Sequence, residues 1–228
     1  MLQRAARFTS KVVGASVLEP HPQYRTAIGV LGVALPVVLL GAERAVQGSI
    51  SAYYYTPMRD WFVGTLWVIG VFLFFYQYTP VNPELAQSSR PAVKSGWADA
   101  CLGKVAGVCA VCVALFPTAP PTGSGAEPPV IGIVHGTAAG VLFFFLSLFP
   151  LVLFSQSRDR VLFYKACGWT MILCLILIGV YALGPESLRH SLSPLRPVFV
   201  LEWVLIWAFG FSWFAKGLGS RPQGASLG

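Results

Sequence analysis

Six long apolar stretches, separated by shorter polar segments, dominate the pattern of this chain. They cover roughly residues 26–46, 58–78, 98–116, 130–154, 162–183 and 198–216. A helix of about 20 apolar residues crosses the ~30 Å hydrocarbon core of a bilayer. Because lipid offers no partner to exposed backbone polar groups, each stretch must be helical. The pattern therefore predicts an all-α, polytopic membrane protein with a bundle of six transmembrane helices.

The N-terminal residues show a different pattern. In MLQRAARFTSKVV the apolar residues Leu2, Ala5, Phe8 and Val12 recur at helical spacing, with basic residues elsewhere around the helix. This predicts an amphipathic interfacial helix, although a basic segment of this kind also suits an organellar transit peptide, so the compartment stays open. We divide the chain into a cytoplasmic amphipathic segment (1–25), a transmembrane domain (26–217) and a flexible cytoplasmic tail (218–228).

Composition supports this division and argues against a nucleic-acid partner. Hydrophobic residues make up 55% of the chain and charged residues 11%, whereas a soluble domain carries about 25% charged residues. The net charge is +7, but the basic residues form no single patch and no aromatic RNA-binding motif accompanies them. Eleven of them fall on the side of the two termini and four on the other side, which predicts cytoplasmic termini.

The segment SISAYYYTPMRDWF joins the first two spans. Thr56 and Pro57 are typical of a helix start, since threonine caps free amides and proline tolerates the first helical position. Asp60 would then lie in the first turn of the second span, where the positive end of the helix favours a carboxylate.

Two further ionisable residues lie at a similar depth in other spans. His135 is about five residues below the boundary of the fourth span, and Glu202 about four below that of the sixth. Ionisable groups inside a membrane usually face the bundle interior and serve a function. We therefore predict a polar pocket, with separate capping and interfacial roles as the alternative. The candidate binding residues are Ser51, Tyr54, Arg59, Asp60, His135 and Glu202.

Glycine spacing predicts where helices approach one another closely. Gly132, Gly136 and Gly140 follow one another at four-residue intervals in the fourth span, and Gly103 and Gly107 do so in the third. Small residues at this spacing let another helix backbone come near. Lys216, at the end of the last span, is interpreted as an anchor at the membrane surface.

Three motifs resemble known membrane proteins. SISAYYYTPMRDWFVG, ALFPT and HGTAAGVLFFF resemble a family of uncharacterised bacterial six-span membrane proteins and, more distantly, the DRAM/Sfk-type six-span superfamily. The resemblance implies a compact six-helix bundle in the bacterial inner (cytoplasmic) membrane. It also implies that the serine-tyrosine segment, Arg59, Asp60 and His135 are shared features.

The function predicted from these observations is non-catalytic: a lipid- or small-ligand-binding bundle, or a subunit of a larger membrane complex. Its expected partners are membrane lipids and other membrane subunits. We assign no catalytic residue, metal or cofactor, because no complete catalytic constellation is evident. The alternative is a membrane-embedded lipid hydrolase with a site at the outer leaflet, in which Ser51, Asp60 and His135 resemble the alkaline ceramidase and adiponectin-receptor type. Those proteins hold zinc with three histidines, whereas His21 and His190 fall outside the predicted spans here. A transporter or channel is a further possibility.

Overall fold

The computed structural model of the chain describes residues 22–76, 96–120, 129–156 and 160–219, with the backbone alone at 96–99 and 129. The α-helices are α1 (Pro22–Glu43), α2 (Arg59–Phe74), α3 (Gly96–Leu115), α4 (Pro129–Leu148), α5 (Val161–Leu183), α6 (Glu186–Leu192) and α7 (Pro197–Gly219). Single 3₁₀ or π turns occupy Ser51–Tyr55, Phe149–Leu153, Phe154–Gln156 and Ser193–Leu195. These residues contain no strand, so the all-α prediction is confirmed for them.

Among the described residues, four segments are long and apolar enough to cross a membrane, which is consistent with an integral membrane protein: Pro22–Glu43, Val130–Gln156, Val161–Leu183 and Pro197–Gly219. They correspond to the first, fourth, fifth and sixth predicted spans. α2 has 16 residues, which is about 24 Å at helical rise and shorter than the ~30 Å hydrocarbon core. Ala100–Leu115 of α3 is likewise a shorter apolar helix. The second and third spans therefore remain a prediction.

Two helix limits differ from those of the predicted spans, and the predicted domain limits stay a prediction. The N-terminal amphipathic helix and nearly all of the C-terminal tail lie outside the described residues. The first described residue, Pro22, is already in α1, so this helix includes residues before the predicted limit near residue 26. Arg25, which the sequence assigned to the cytoplasmic segment, is consequently helical and buried. α2 ends at Phe74, four residues before its predicted limit.

The six longest helices pack as two layers. α1, α7 and α5 form one layer with α7 in the middle, and α2, α3 and α4 form the other with α3 in the middle. Packing is extensive within each layer and less extensive at the two seams, where α1 meets α2 and α4 meets α5. We call the end that holds the turn Ser51–Tyr55 the turn end, and the opposite end, where α1 begins and α7 stops, the terminal end.

Glycines hold the neighbouring helices of each layer together. A Cβ atom on Gly29 of α1 would overlap the backbone of Phe214 in α7, and one on Gly107 of α3 would lie 2.6 Å from the carbonyl oxygen of Gly70 in α2. Such close approach strengthens dispersion contacts between helices that have no hydrophobic driving force in lipid. The close packing predicted for Gly107 and its neighbour Gly103 is therefore observed, with α2 as the partner.

The glycines of α4 behave differently from one another. A Cβ atom on Gly132 would lie 3.1 Å from that of Ala119, in the segment that precedes α4. At Gly136 and Gly140 it would meet no atom within 4 Å. In the described part of the chain, the predicted approach of another helix to these two positions does not occur.

Candidate functional site

A single 3₁₀ turn, Ser51–Tyr55, follows the end of α1 and precedes α2. Its Tyr53 side chain is fully buried, and the Tyr53 hydroxyl donates a hydrogen bond to the carbonyl oxygen of Ala45 at 2.9 Å. The Thr56 hydroxyl donates to the carbonyl oxygen of Tyr53 and accepts from the amide of Met58. These bonds fix the turn against the chain on both sides, and α2 begins two residues after the predicted Thr56–Pro57 start.

The carboxylate of Glu202 holds the beginning of this turn. Its Oε2 atom accepts hydrogen bonds from the backbone amides of Ile50, at 2.5 Å, and Ser51, at 3.4 Å. The Ser51 side chain also hydrogen-bonds the carboxylate. Free amides at the start of a helical turn favour a negative charge. Glu202 of α7 therefore acts as a cap supplied from a distant helix, and the structure brings the predicted residues Ser51 and Glu202 together.

A cavity of about 40 Å³ lies between the two layers, next to this cap. We call it the layer cavity. Its walls are apolar apart from Ser51 and Glu202. The lining residues come from five helices and the turn: Gly32, Leu35, Ile50, Ser51, Phe62, Leu66, Ile69, Val113, Leu142, Phe143, Leu146, Glu202, Ile206 and Phe209. The cavity is thus a small, mainly apolar space with a carboxylate and a hydroxyl in its lining.

Tyr54 and Arg59 also contact each other, at the exposed rim of the turn end. The Arg59 guanidinium donates to the Tyr54 hydroxyl at 2.7 Å and lies 4.4 Å from the centre of its ring. The neighbouring Tyr55 hydroxyl donates to the carbonyl oxygen of Thr118 at 2.6 Å, which joins the turn to the segment after α3. Neither Tyr54 nor Arg59 lines the layer cavity.

His135 is buried, with 4% of its surface exposed, and it has its own partner. Its Nδ1 atom lies 2.6 Å from the carbonyl oxygen of Phe116. Because a carbonyl can only accept, Nδ1 carries the proton in this contact. Phe116 directly follows α3, so the imidazole satisfies a carbonyl at the end of that helix. His135 ties α4 to α3 and does not line the layer cavity.

Asp60 lies on the outside of the bundle. It is exposed in the first turn of α2 and lines a groove between α1 and α2 that shares no residue with the layer cavity. The structure therefore places Asp60, His135 and Glu202 in three separate environments, and no described contact joins them. Whether each binds a ligand stays a prediction.

Two cationic side chains are buried at the terminal end, and their burial was not predicted from the sequence. Arg25 and Lys216 are 3% and 7% exposed. The Arg25 Nε atom donates to the Tyr76 hydroxyl at 3.1 Å. The Lys216 ammonium lies within 5.7 Å of two aromatic ring centres, those of Phe154 and Tyr164. Lys216 is thus packed inside the protein, and its interpretation as a surface anchor is wrong.

A sequence signal for these cations does exist in the glycines that join α1 to α7. Arg25 lies four residues before Gly29, on the same helix face, and Lys216 directly precedes Gly217. A Cβ atom on Gly217 would overlap the Thr26 side chain. Once α1 is known to pair with α7, these positions place both cations near the same end of that helix pair.

Metal ligation finds no support among the described residues, where no three His, Cys, Asp or Glu side chains are grouped closely enough to hold a metal ion. Comparison of the chain with known protein-family models, curated proteins and solved structures gave no match. The interpretation of the site therefore depends on its geometry.

Proposed function

We propose that this chain is a non-catalytic integral membrane protein that binds a small lipid-like amphiphile in the layer cavity. The supporting observation is the distribution of polarity, since only Ser51 and Glu202 interrupt an otherwise apolar lining. Ligand sites are commonly apolar cavities with a few fixed polar groups that orient the ligand. A ligand hydroxyl suits this end, because it can donate to the carboxylate or to the serine oxygen, whose own proton is directed to Glu202.

The size of the cavity implies that the layers separate when a ligand enters. Its volume of about 40 Å³ is smaller than the ~150 Å³ cavity that binds benzene in an engineered protein. The seams between α1 and α2 and between α4 and α5 are less extensively packed than the contacts within layers. Opening at a seam breaks fewer contacts than separating a glycine-joined helix pair.

We further propose that α2 and α3 also cross the membrane, giving six spans with both termini in the cytoplasm of a bacterial inner membrane. Both helices lie beside the four longer ones and expose large apolar side chains, including Trp67, Val71 and Val108. A short span can be accommodated by local thinning of the bilayer. The test is a reporter pair. A phosphatase inserted near Gly48 should be active outside the cytoplasm. One inserted between α2 and α3, near residue 86, should be inactive, because six spans place that position in the cytoplasm. Activity at both positions would leave only the four longer spans.

Ligand binding is tested with a photoreactive probe. Octanol carrying a diazirine is added to the purified protein, and the labelled peptides are identified by mass spectrometry. We expect labelling of cavity-lining peptides, and we expect Leu142→Phe, which fills the cavity, to reduce it at least severalfold. The matched control is Leu173→Phe on the exposed face of α5, which should leave labelling unchanged. Equal labelling of both variants would remove the layer cavity as the site.

Lipid hydrolysis is less well supported by the geometry. The Ser51 side chain contacts Glu202, whereas the His135 imidazole donates to Phe116 and Asp60 faces outward. The hydrolase alternative requires His135 to reach Ser51 as its base or to hold a metal beside it, and no described contact joins these two residues. Membership of a larger membrane complex and the resemblance to six-span bacterial proteins stay predictions, and co-purification in mild detergent tests the first of them.

A further inference from the structure

A second depression lies on the outer surface of the bundle, between α1 and α2. We call it the α1/α2 groove. Its volume is about 390 Å³, and it is lined by Leu31, Asp60, Trp61, Gly64, Thr65 and Val68. It shares no lining residue with the layer cavity. Trp61 is 62% exposed and Val68 43% exposed, so this groove faces the lipid that surrounds the protein.

The dimensions of the α1/α2 groove match one leaflet of a bilayer. Asp60 and Val68 are eight residues apart on one helix, which corresponds to about 12 Å. One leaflet contributes about half of the ~30 Å hydrocarbon core. Asp60 lies at the turn end, one residue after the start of α2, and Trp61 follows it at the depth where tryptophan is enriched in membrane proteins. The groove is thus acidic at its membrane-surface end and apolar below.

The charge at this end is available to a ligand. No described residue forms an ion pair or hydrogen bond with the Asp60 carboxylate. The adjacent Arg59 is directed elsewhere, since its guanidinium donates to the Tyr54 hydroxyl and stacks on that ring. A primary ammonium group can form charge-assisted hydrogen bonds to such a carboxylate. A quaternary ammonium group has no N–H to donate.

We propose that the α1/α2 groove binds one phospholipid with a primary-amine headgroup, such as phosphatidylethanolamine. The ammonium lies on Asp60, and an acyl chain runs over Gly64 toward Val68. This site is separate from the layer cavity and is independent of the ligand proposed there, but it rests on the proposal that α2 crosses the membrane.

Gly64 allows the groove to be closed without disturbing the fold. A Cβ atom built there meets no atom within 4 Å, so a larger side chain projects into the groove instead of into a neighbouring helix. Gly179 of α5 has the same open surroundings and lies far along the chain from the groove. Gly179→Leu is therefore the control for Gly64→Leu. Glu186→Gln is the control for Asp60→Asn, because it changes another exposed acid in the first turn of a helix.

The experiment is native mass spectrometry of the delipidated full-length protein, titrated with phosphatidylethanolamine or with phosphatidylcholine of identical chains. We expect one bound phosphatidylethanolamine per chain, held about tenfold more tightly than phosphatidylcholine, since one strong hydrogen bond corresponds to about that factor. Asp60→Asn should abolish the preference, and Gly64→Leu should abolish retention of both lipids. The two control variants should behave like the wild type.

Three results would overturn the proposal. One is equal affinity of the wild type for the two lipids, and another is an ethanolamine preference that survives Asp60→Asn. The third is a wild-type protein that forms a dimer and binds no lipid, together with a Gly64→Leu variant that is monomeric. A second copy of the chain would then cover the groove.

Discussion

The Glu202 carboxylate accepts a hydrogen bond from the backbone amide of Ile50 at 2.5 Å. The bond connects the last helix of the bundle to the turn that follows the first. It satisfies an amide at the start of that turn and positions a negative charge beside the layer cavity. One carboxylate therefore has both a structural role, as a cap, and a proposed role in ligand binding. Substitution of Glu202 should affect both.

Truncation of Glu202 should weaken the fold. Glu202→Ala leaves the amides of Ile50 and Ser51 without their acceptor, at a cost of about 1–3 kcal/mol in the free energy of unfolding. Glu202→Gln keeps a side-chain carbonyl and should cost less than the alanine variant. The measurement is thermal or denaturant unfolding in detergent. Glu186→Ala, which removes an exposed acid in α6, should change stability by no more than about 0.5 kcal/mol.

Two glycines of α1 should respond oppositely to alanine. A methyl group at Gly29 would overlap the α7 backbone, so Gly29→Ala should destabilise the protein by about 1–3 kcal/mol through overpacking. Gly41 lies in open surroundings on the same helix, and Gly41→Ala should be neutral or stabilising by up to about 1 kcal/mol. Unfolding of the two variants in the same detergent compares them directly. Equal effects would contradict the observed contact between α1 and α7.

His135 should matter for stability through its donated hydrogen bond. His135→Phe keeps a ring of similar size but leaves the Phe116 carbonyl without this donor, at a cost of about 1–3 kcal/mol. His190 is exposed in α6, and His190→Phe should cost less than about 0.5 kcal/mol. If His135→Phe is as stable as the wild type, the bond between α4 and the end of α3 is not a stabilising contact.

Alkaline pH should test the burial of Tyr53. Burial raises the pKa of the Tyr53 phenol above its ordinary value, and the nearby charge of Glu43 adds to this. The folded state therefore holds the phenolic proton more tightly than the unfolded chain. The resulting stabilisation is complete below about pH 10 and is lost as the pH rises through the folded pKa. The fall in unfolding midpoint above pH 10 should be smaller in Tyr53→Phe than in Tyr55→Phe, which changes an exposed tyrosine.

Span depth can be predicted from the sequence, but a shared depth does not bring side chains together. The inward face of α2 carries Phe62, Leu66 and Ile69, and Asp60 lies two residues before the first of these. Residues two apart point to different sides of a helix. Glu202, in contrast, is four residues before Ile206, which also lines the layer cavity. Helical phase thus distinguishes the two acids, whereas counting residues from the membrane boundary treats them alike.

The pairing of the helices was less accessible to prediction. Glycine spacing in α3 correctly indicated a close contact, yet the same spacing at Gly136 and Gly140 has no described partner. A small-residue face permits an approach without choosing the helix that makes it. The burial of Arg25 and Lys216 depends on such choices, because Arg25 contacts Tyr76 after α2, and Lys216 lies near the rings of Phe154 and Tyr164. The apolar pattern of a single helix does not show which other helix packs against it.

Pairing the first helix with the last has a consequence for biosynthesis. During translation α1 enters the bilayer early, while the surface that covers Gly29 is made only when Gly210 and Phe214 leave the ribosome. Until then, the face of α1 that will contact α7 is covered by lipid or by a chaperone. A nascent chain that stops before residue 197 should leave this face of α1 without its partner and be a target for membrane quality control.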